Sequence, residues 1–180
     1  MKIKEEIKRL NVGSGKDYKK GYINLEGNKD FKADYRHDLS KFPYPFKGNY
    51  FDEVYCSHIL EHFDNFYGVF NEILRITKIG GVVHIRVPHF SNGMGFATFD
   101  HKRFFAWETF EKIKRGNCNP KYNNFEIIFK RLNYLSKRFF FINWFLAPIF
   151  NTLCRLNLYE RFFCWIIPVH EVEVKLKKIR

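Results

Sequence analysis

The sequence predicts an α/β protein with a doubly wound, mostly parallel, seven-stranded sheet, helices on both faces and an antiparallel last strand. Two observations support this prediction. Through the first 90 residues, short β-branched and aromatic runs alternate with turn residues, as strands separated by loops do. Residues 51–88 give a strand, an amphipathic helix and a second apolar strand, which is the βαβ order of a parallel sheet.

The individual elements are read from their periodicity and their boundaries. Five strands are expected before residue 90, at 9–12, 22–26, 33–39, 51–56 and 81–87, each bounded by turn residues. A helix precedes the fifth strand, because apolar residues recur there at helical spacing: Phe66, Val69, Phe70, Ile73 and Leu74. A helix around 106–115 and a sixth strand at 125–129 follow.

The last strand is predicted at 169–179, where apolar and charged residues alternate as in a half-buried edge strand. We expect it to form an antiparallel hairpin with 125–129. Between the two lies an apolar and basic insertion, at about 133–168, within a single domain of residues 1–180. Its charge-free run of 16 residues falls short of the ~20 needed to cross a bilayer. The segment 137–168 fits a membrane surface, a pair of buried helices or a dimer interface.

Charge and cysteine content limit the classes of partner. The formal net charge is +12, of which residues 101–180 contribute +10. That half suits an acidic partner such as anionic lipid, nucleic acid or a phosphorylated substrate, or is simply solvated. None of the four cysteines forms a CxxC pair, which argues against a zinc knuckle or a redox dithiol. The charged start lacks a signal peptide, so a cytoplasmic protein is expected, peripheral at the inner membrane face if the insertion meets lipid, and either monomeric or homodimeric.

A glycine loop after the first strand is the strongest functional signal. Gly13-Ser14-Gly15 would let a ligand approach the backbone closely, and Glu26, at the end of the second strand, could accept hydrogen bonds from both hydroxyls of a ribose. A dinucleotide fingerprint would add a third glycine and a helix whose N-terminus binds pyrophosphate, but Tyr18 replaces that glycine. The segment 14–21 is too short for a full helix. S-adenosylmethionine, which has no phosphate, is therefore favoured over NAD.

The ordered set of motifs resembles a class I S-adenosylmethionine-dependent methyltransferase of the small, type-11-like group, with its Rossmann-like fold. The resemblance covers residues 8–115 and weakly the last strand. Its matching stretches are Leu10-Asn11-Val12-Gly13-Ser14-Gly15, Gly21-Tyr22-Ile23-Asn24-Leu25-Glu26, Phe42-Pro43-Tyr44-Pro45-Phe46, Phe51-Asp52-Glu53-Val54, Ser57-His58-Ile59-Leu60-Glu61-His62, Glu72-Ile73-Leu74-Arg75 and the run from Lys78-Ile79-Gly80-Gly81 to Val87-Pro88.

The resemblance implies roles for individual residues. Gly13 and Gly15, with Ser14 between them, would line the methionine moiety and Glu26 would hold the ribose. Asp38 and Leu39 would lie at the adenine, and Ser57 and His58 at the methionine part or the methyl-transfer centre. In the same loop, Asn11 replaces the acidic residue often found before the first glycine. The connections flanking the second strand are also shortened, which makes the Asp38 assignment the less secure one.

Two histidines are candidate bases on the acceptor side. His89 follows the fifth strand, and His101 lies in a loop beyond it. Either could remove a proton from an acceptor hydroxyl, since the reference pKa of histidine is ~6.5, and either could simply fix a loop. Methyl transfer mainly requires in-line positioning of the acceptor, because the sulfonium is already electrophilic.

Other functions remain open. His58-x-x-Glu61-His62 matches a zinc-peptidase spacing, but no third ligand stands out and no metal is expected. A nicotinamide-dependent oxidoreductase or a non-catalytic nucleotide-binding relative would share the fold. No specific nucleic acid is predicted, since an Asn-Pro-Pro-aromatic motif is absent from the sequence. The favoured reaction is methylation of a hydroxyl on a sugar, a lipid-linked glycan or another small molecule.

Overall fold

In the computed structural model, which describes residues 6–116, 124–134 and 140–180, seven strands form one sheet. They are β1 (Arg9–Val12), β2 (Ile23–Glu26), β3 (Tyr35–Arg36), β4 (Phe51–Ser57), β5 (Thr77–Pro88), β6 (Phe125–Asn133) and β7 (Glu171–Lys178). Their order is β3-β2-β1-β4-β5-β7-β6. β1 to β5 pair in parallel, and β7 is antiparallel to both β5 and β6. The predicted fold class and the antiparallel last hairpin are thereby confirmed.

Among the described residues, two helices are longer than ten residues and the others are short. They are α1 (Phe66–Ile76), α2 (Gly93–Ala97), α3 (Thr109–Lys114) and α4 (Phe140–Arg155), with a 3₁₀ turn at Leu60–His62 and a π-helical turn at Tyr159–Phe163. α1 begins at Asn65, whose side chain accepts a hydrogen bond from the N–H of Gly68. The helix predicted from the apolar periodicity is therefore found, and the one expected at 106–115 is shorter.

Two strands, β3 and β5, differ in length from the predicted ones. β3 has only two residues, both exposed, because this edge of the sheet has little apolar surface to bury. β5 begins at Thr77, directly after α1 and four residues before the predicted start at 81, and it passes through Gly80, whose φ of +81° a glycine adopts without strain.

One face of the sheet carries the hydrophobic core. Apolar side chains of α1 and α3 pack on it, and the ring centroid of Phe70 in α1 lies 5.6 Å from that of Phe125 and 6.4 Å from that of Phe110 in α3. These rings are fully buried. The apolar face of α1 that the periodicity predicted is therefore the face that packs against the sheet.

The opposite face is polar. Its side chains pair across neighbouring strands: His84 with Glu173 at 2.8 Å, and Nε of Arg86 with Glu171 at 3.0 Å. The short connection between β1 and β2 covers this face with a loop instead of a helix, and Nζ of Lys19 lies 4.4 Å from the ring centroid of Tyr55. Beneath this loop and beside Trp144 of α4 is a cavity of about 820 Å³.

Between β6 and β7, α4 runs along the outer edge of the sheet. Oδ1 of Asn151 accepts the N–H of Leu132 in β6, and the ring of Phe150 stacks on Tyr134 at 5.4 Å. Within the ranges that the structure describes, no helix is long and apolar enough to cross a membrane.

Candidate functional site

The strand order reverses between β1 and β4, and in open parallel sheets ligands bind at the carboxyl ends of strands at such a point. The loop after β1 lies there. Gly13 and Gly15 have φ values of +64° and +46°, which side-chain-bearing residues rarely adopt. A Cβ on Gly13 would lie 2.4 Å from Cγ1 of Ile59, whereas nothing lies within 4 Å of a Cβ placed on Gly15. The loop is thus packed at Gly13 and open at Gly15.

Glu26 meets this loop from the end of β2. Its Oε2 accepts the N–H of Gly15 at 2.7 Å, and its Oε1 accepts the N–H of Asn28 at 2.8 Å. An ionised carboxylate offers about four lone-pair positions, so each oxygen can accept one more hydrogen bond. The side chain is partly exposed, and a diol could therefore bind it beside the open space at Gly15.

Asn11 and Ser14 lie beneath the loop. The side-chain amide of Asn11, only 2% exposed, donates to the carbonyl of Asp17 and to Oδ1 of Asn24, which holds the loop to β2. Ser14 is also buried, and its hydroxyl has no hydrogen-bond partner among the described residues. Asn11 therefore faces the polar side of the sheet, away from the open side of the loop.

The two residues predicted to lie at the adenine, Asp38 and Leu39, differ in exposure in the structure. The N–H of His37 donates to the carbonyl of Glu26, so the segment after β3 runs beside the end of β2. Asp38 is exposed and accepts the N–H of Ser40. Leu39 points its side chain into the hydrophobic core, 6% exposed, which leaves its backbone for any contact with a ligand.

His58 follows Ser57 at the end of β4 and has a φ of +51°. Its Nε2 lies 2.9 Å from Oε2 of Glu171, and its Nδ1 lies 3.5 Å from Oε1 of Glu61. Burial disfavours the charged ring, but the hydrogen bond to Glu171 and the negative charges of Glu61 and Glu171 raise the pKa of His58 to about 9. His58 is therefore a cation and a hydrogen-bond donor at neutral pH, which suits an anionic group better than proton removal.

The two candidate bases, His89 and His101, differ in how far their side chains are exposed. The side chain of His89 is fully buried, with Nδ1 at 2.8 Å from the Ser91 hydroxyl and Nε2 at 3.1 Å from Glu160. In this conformation it does not face the open edge of the sheet. The side chain of His101 is 12% exposed, and its Nε2 lies 4.0 Å from Glu61.

The zinc-peptidase spacing does not produce one helical face. His58 lies outside the 3₁₀ turn Leu60–His62 and groups with His170 and Glu171, whereas His62 groups with Glu61 and His101. The two histidines of the motif thus belong to different clusters.

Sequence reasoning missed Glu171 and His170 as parts of the site. Glu171 is 1% exposed, and the pKa of this carboxyl is lowered to about 2, because the hydrogen bond from His58 and the charge of Arg86 outweigh its burial. Burial lowers the pKa of His170, which lies next to it. The only signal was the polar side of the last strand, to which the alternation assigned Glu171.

The strand order, the open glycine loop and the carboxylate after β2 are features of the class I S-adenosylmethionine-dependent methyltransferase fold. In agreement, residues 14–85 match the family described as "Methyltransferase domain". The resemblance carried by the sequence motifs is thereby confirmed, and with it S-adenosylmethionine as the cofactor of this class.

Solved structures share the fold at low sequence identity. A SAM-dependent methyltransferase from Archaeoglobus fulgidus is 15% identical, with a TM-score of 0.65, over 97% of this chain and 87% of that one. The putative methyltransferase of Haloferax volcanii, solved with the Trm112 methyltransferase activator, is 14% identical, with a TM-score of 0.61, over 100% and 85%. The [4+2]-cyclase SpnF is 14% identical, with a TM-score of 0.61, over 96% and 75%. Among curated proteins, none matches this sequence significantly.

Proposed function

We propose that this protein transfers the methyl group of S-adenosylmethionine to a hydroxyl of a sugar or of a lipid-linked glycan. The observation that carries the proposal is the open space at Gly15 beside the half-free carboxylate of Glu26. The described segment between β1 and β2 contains no helix whose N-terminus could bind a pyrophosphate, which argues against NAD.

Each end of the cofactor has a partner of matching chemistry. Glu26 would accept hydrogen bonds from the ribose hydroxyls, since each of its oxygens keeps a free lone pair. His58 would lie beside the methionine part of the cofactor, because it follows the end of β4 at the ligand edge of the sheet. Gly15 would let the ligand lie against the backbone.

The acceptor would enter beyond α2. Phe96 and Phe104 stack there with ring centroids 4.3 Å apart and stay largely exposed, as does Phe99. Exposed aromatic rings of this kind pack well on the apolar faces of a sugar. They would hold the hydroxyl in line with the methyl carbon and the sulfur, so that the C–O bond forms as the C–S bond breaks, S-adenosylhomocysteine leaves and the hydroxyl proton passes to solvent water.

The exposed apolar residues between β6 and β7 support a lipid-linked acceptor. Phe145 and Ile149, one helical turn apart, share one exposed side of α4, which we call the α4 stripe, and exposed Arg155 and Leu156 follow at the end of the helix. Trp165 and Ile166, 70% and 74% exposed, follow the π-helical turn. Apolar residues flanked by basic ones bind anionic membrane surfaces without spanning them.

The decisive test is calorimetric titration of the protein with S-adenosylmethionine, S-adenosylhomocysteine and NADH. We expect both sulfur ligands to bind and NADH not to bind. Glu26→Gln keeps the shape of the side chain but removes its charge, and should weaken both sulfur ligands about 10- to 100-fold. Glu126→Gln, a matched change at an exposed position of β6, should have no effect.

If the wild type binds neither sulfur ligand, the proposed function is wrong. If they bind but no methylated product forms from S-adenosylmethionine with a panel of sugars and lipid-linked glycans, the proposal of a hydroxyl acceptor fails while the cofactor assignment stands.

A further inference from the structure

Glu61, in the 3₁₀ turn after β4, is a buried carboxylate without hydrogen-bond partners. It is 0% exposed, and neither of its oxygens has a partner among the described residues. Burying an ionised carboxylate costs several kcal/mol unless a charge or hydrogen bonds compensate it, so an unpartnered one points to a missing cation.

Two histidines supply further donor atoms at this carboxylate. One ligand atom each of Glu61, His62 and His101 lies within 4.8 Å of the others. Nδ1 of both histidines is buried and has no hydrogen-bond partner among the residues described. Nε2 of His101 lies 4.0 Å from Oε1 of Glu61, so the three residues bring ligand atoms to one small space, where a single ion could bind them.

A fourth donor lies at the rim. Oδ2 of Asp100 is 3.0 Å from Nδ1 of His62, in an orientation that forms no hydrogen bond. Two ligand atoms that are each about 2.1 Å from one ion lie about 3.0 to 3.5 Å apart, so this close approach is what a shared cation would produce.

The backbone holds these donors together. The N–H groups of Lys102 and Arg103 both donate to the carbonyl of Glu61, at 2.8 and 3.2 Å, which fixes the His101 loop against the 3₁₀ turn. The side chain of Lys102 pairs with Asp64, and that of Arg103 donates to the carbonyl of Phe63. The neighbouring lysine and arginine charges are thus directed away from the Glu61 carboxylate.

The positive charge nearest to the Glu61 carboxylate is that of His58, and His58 also pairs with Glu171. Its Nδ1 is 3.5 Å from Glu61, longer than a hydrogen bond, while its Nε2 is 2.9 Å from Glu171. Glu171 is also hydrogen-bonded by Arg86 and Asn133, so the second histidine–carboxylate cluster is fully satisfied by protein groups. The Glu61 carboxylate, in contrast, has this one shared charge at 3.5 Å and no hydrogen bond among the described residues.

We propose that Glu61, His62 and His101, with Asp100 at the rim, bind one divalent transition-metal ion of the zinc type. Two imidazoles and one or two carboxylates are a donor set that zinc and its first-row neighbours accept. The site does not require the cofactor, and it differs from the sequence-based expectation of no metal. Because Glu61 and His101 belong to separate segments, the bound ion would fix the loop after α2 to the end of β4.

The test is a titration of the full chain, first stripped with a chelator and dialysed, with ZnCl₂ by calorimetry and by thermal unfolding. We expect one equivalent to bind in the micromolar range or tighter and to raise the Tm. Glu61→Gln and His101→Gln should each weaken binding at least about tenfold and remove most of the rise in Tm. His170→Gln, from the satisfied cluster, should bind zinc as the wild type does.

Folding of the variants is judged without metal. Glu61→Gln removes a buried charge that no hydrogen bond compensates, so the metal-free variant should unfold at or above the temperature of the metal-free wild type. If it does not fold, Asp100→Asn at the exposed rim takes its place and should weaken zinc binding. Absence of zinc binding by the wild type, or binding by Glu61→Gln and His101→Gln equal to that of the wild type, overturns the proposal.

Discussion

Nε2 of His58 lies 2.9 Å from Oε2 of Glu171, so the residue that follows β4 is tied to the first residue of β7, two strands away. The pair is separated by 113 positions in the chain. It joins the cofactor edge of the sheet to the antiparallel hairpin, and it sets the charge of the only histidine that the sequence assigned to the cofactor.

This pair should make stability depend on pH in two windows. The pKa of His58 is raised from 6.5 to about 9, so its stabilisation is complete below pH 6.5 and is lost as the pH rises through 9. The pKa of Glu171 is lowered from 4.5 to about 2, so its stabilisation is complete above pH 4.5 and is lost as the pH falls toward 2.

Glu171→Gln should reduce the loss of folding stability between pH 6.5 and pH 9. We expect the free energy of unfolding of the wild type, measured in urea, to fall by about 1 to 2 kcal/mol between pH 6.5 and pH 9. This is less than the pKa shift alone implies, because the ring is 37% exposed and solvent screens it. In the variant the decline should be smaller, and the NMR titration of His58 should move toward pH 6.5. An unchanged titration would contradict the role of the pair.

Alanine at the two loop glycines should have different effects. Both positions have positive φ, which costs an alanine about 1 kcal/mol. Gly13→Ala adds a clash with Ile59 and should cost about 1 to 2 kcal/mol more than Gly15→Ala. Urea unfolding measures both, and Ile59→Ala should recover part of the loss in Gly13→Ala but not in Gly15→Ala.

The same pair of variants separates packing from ligand access. At Gly15 the added methyl group enters open space, so S-adenosylhomocysteine should bind more weakly although the protein stays folded. Equal affinity for wild type and Gly15→Ala would mean that the ligand does not occupy that space.

His89→Leu should lower stability while leaving cofactor affinity unchanged. The substitution removes one hydrogen-bond partner of the Ser91 hydroxyl and one of Glu160, and such a loss costs about 1 to 3 kcal/mol. His37→Gln, at a partly exposed ring with one hydrogen bond to a backbone carbonyl, should change stability by less than about 0.5 kcal/mol. If His89→Leu unfolds in urea like the wild type, the structural role of His89 is wrong.

The apolar residues between β6 and β7 can be tested by flotation with vesicles. We expect the wild type to float with vesicles that contain anionic lipid and less with neutral ones. Phe145→Ser with Ile149→Ser in the α4 stripe, and separately Trp165→Ser with Ile166→Ser, should reduce flotation. Ile79→Ser removes an apolar side chain of similar exposure at the start of β5 and should not.

A wild-type protein that stays at the bottom of the gradient with every vesicle would remove the lipid-surface part of the proposed function. Binding of S-adenosylmethionine would be unaffected by that result, because Gly15 and Glu26 do not depend on α4.

The local part of the site could be predicted from the sequence. Gly15 and Glu26 lie at the ends of adjacent parallel strands, and the carboxyl ends of such strands meet at one edge. Short-range turn chemistry and strand alternation were enough for this. The same holds for α1, because the apolar positions that predicted it, 66–74, all lie inside the observed helix.

The rest depends on contacts between distant segments. His89 looked like an accessible base because it follows a strand at the ligand edge, but Glu160, 71 positions later, encloses it. Leu39 was assigned to the adenine from its place in a motif, and only the packing of the core shows that its side chain is turned inward. The meeting of Glu61 and His101 likewise depends on how one loop folds over another.

The polar face of the sheet limits how this chain could change. A helix laid across it would have to pack on Arg86, Glu171 and Glu173, whose hydrogen bonds are already made with one another and with neighbouring strands. Lengthening the connection after β1 by insertion alone would therefore add a helix with nothing apolar beneath it. The short connection between β1 and β2 and the charged face therefore depend on each other. A helix could cover this face only if both were replaced together.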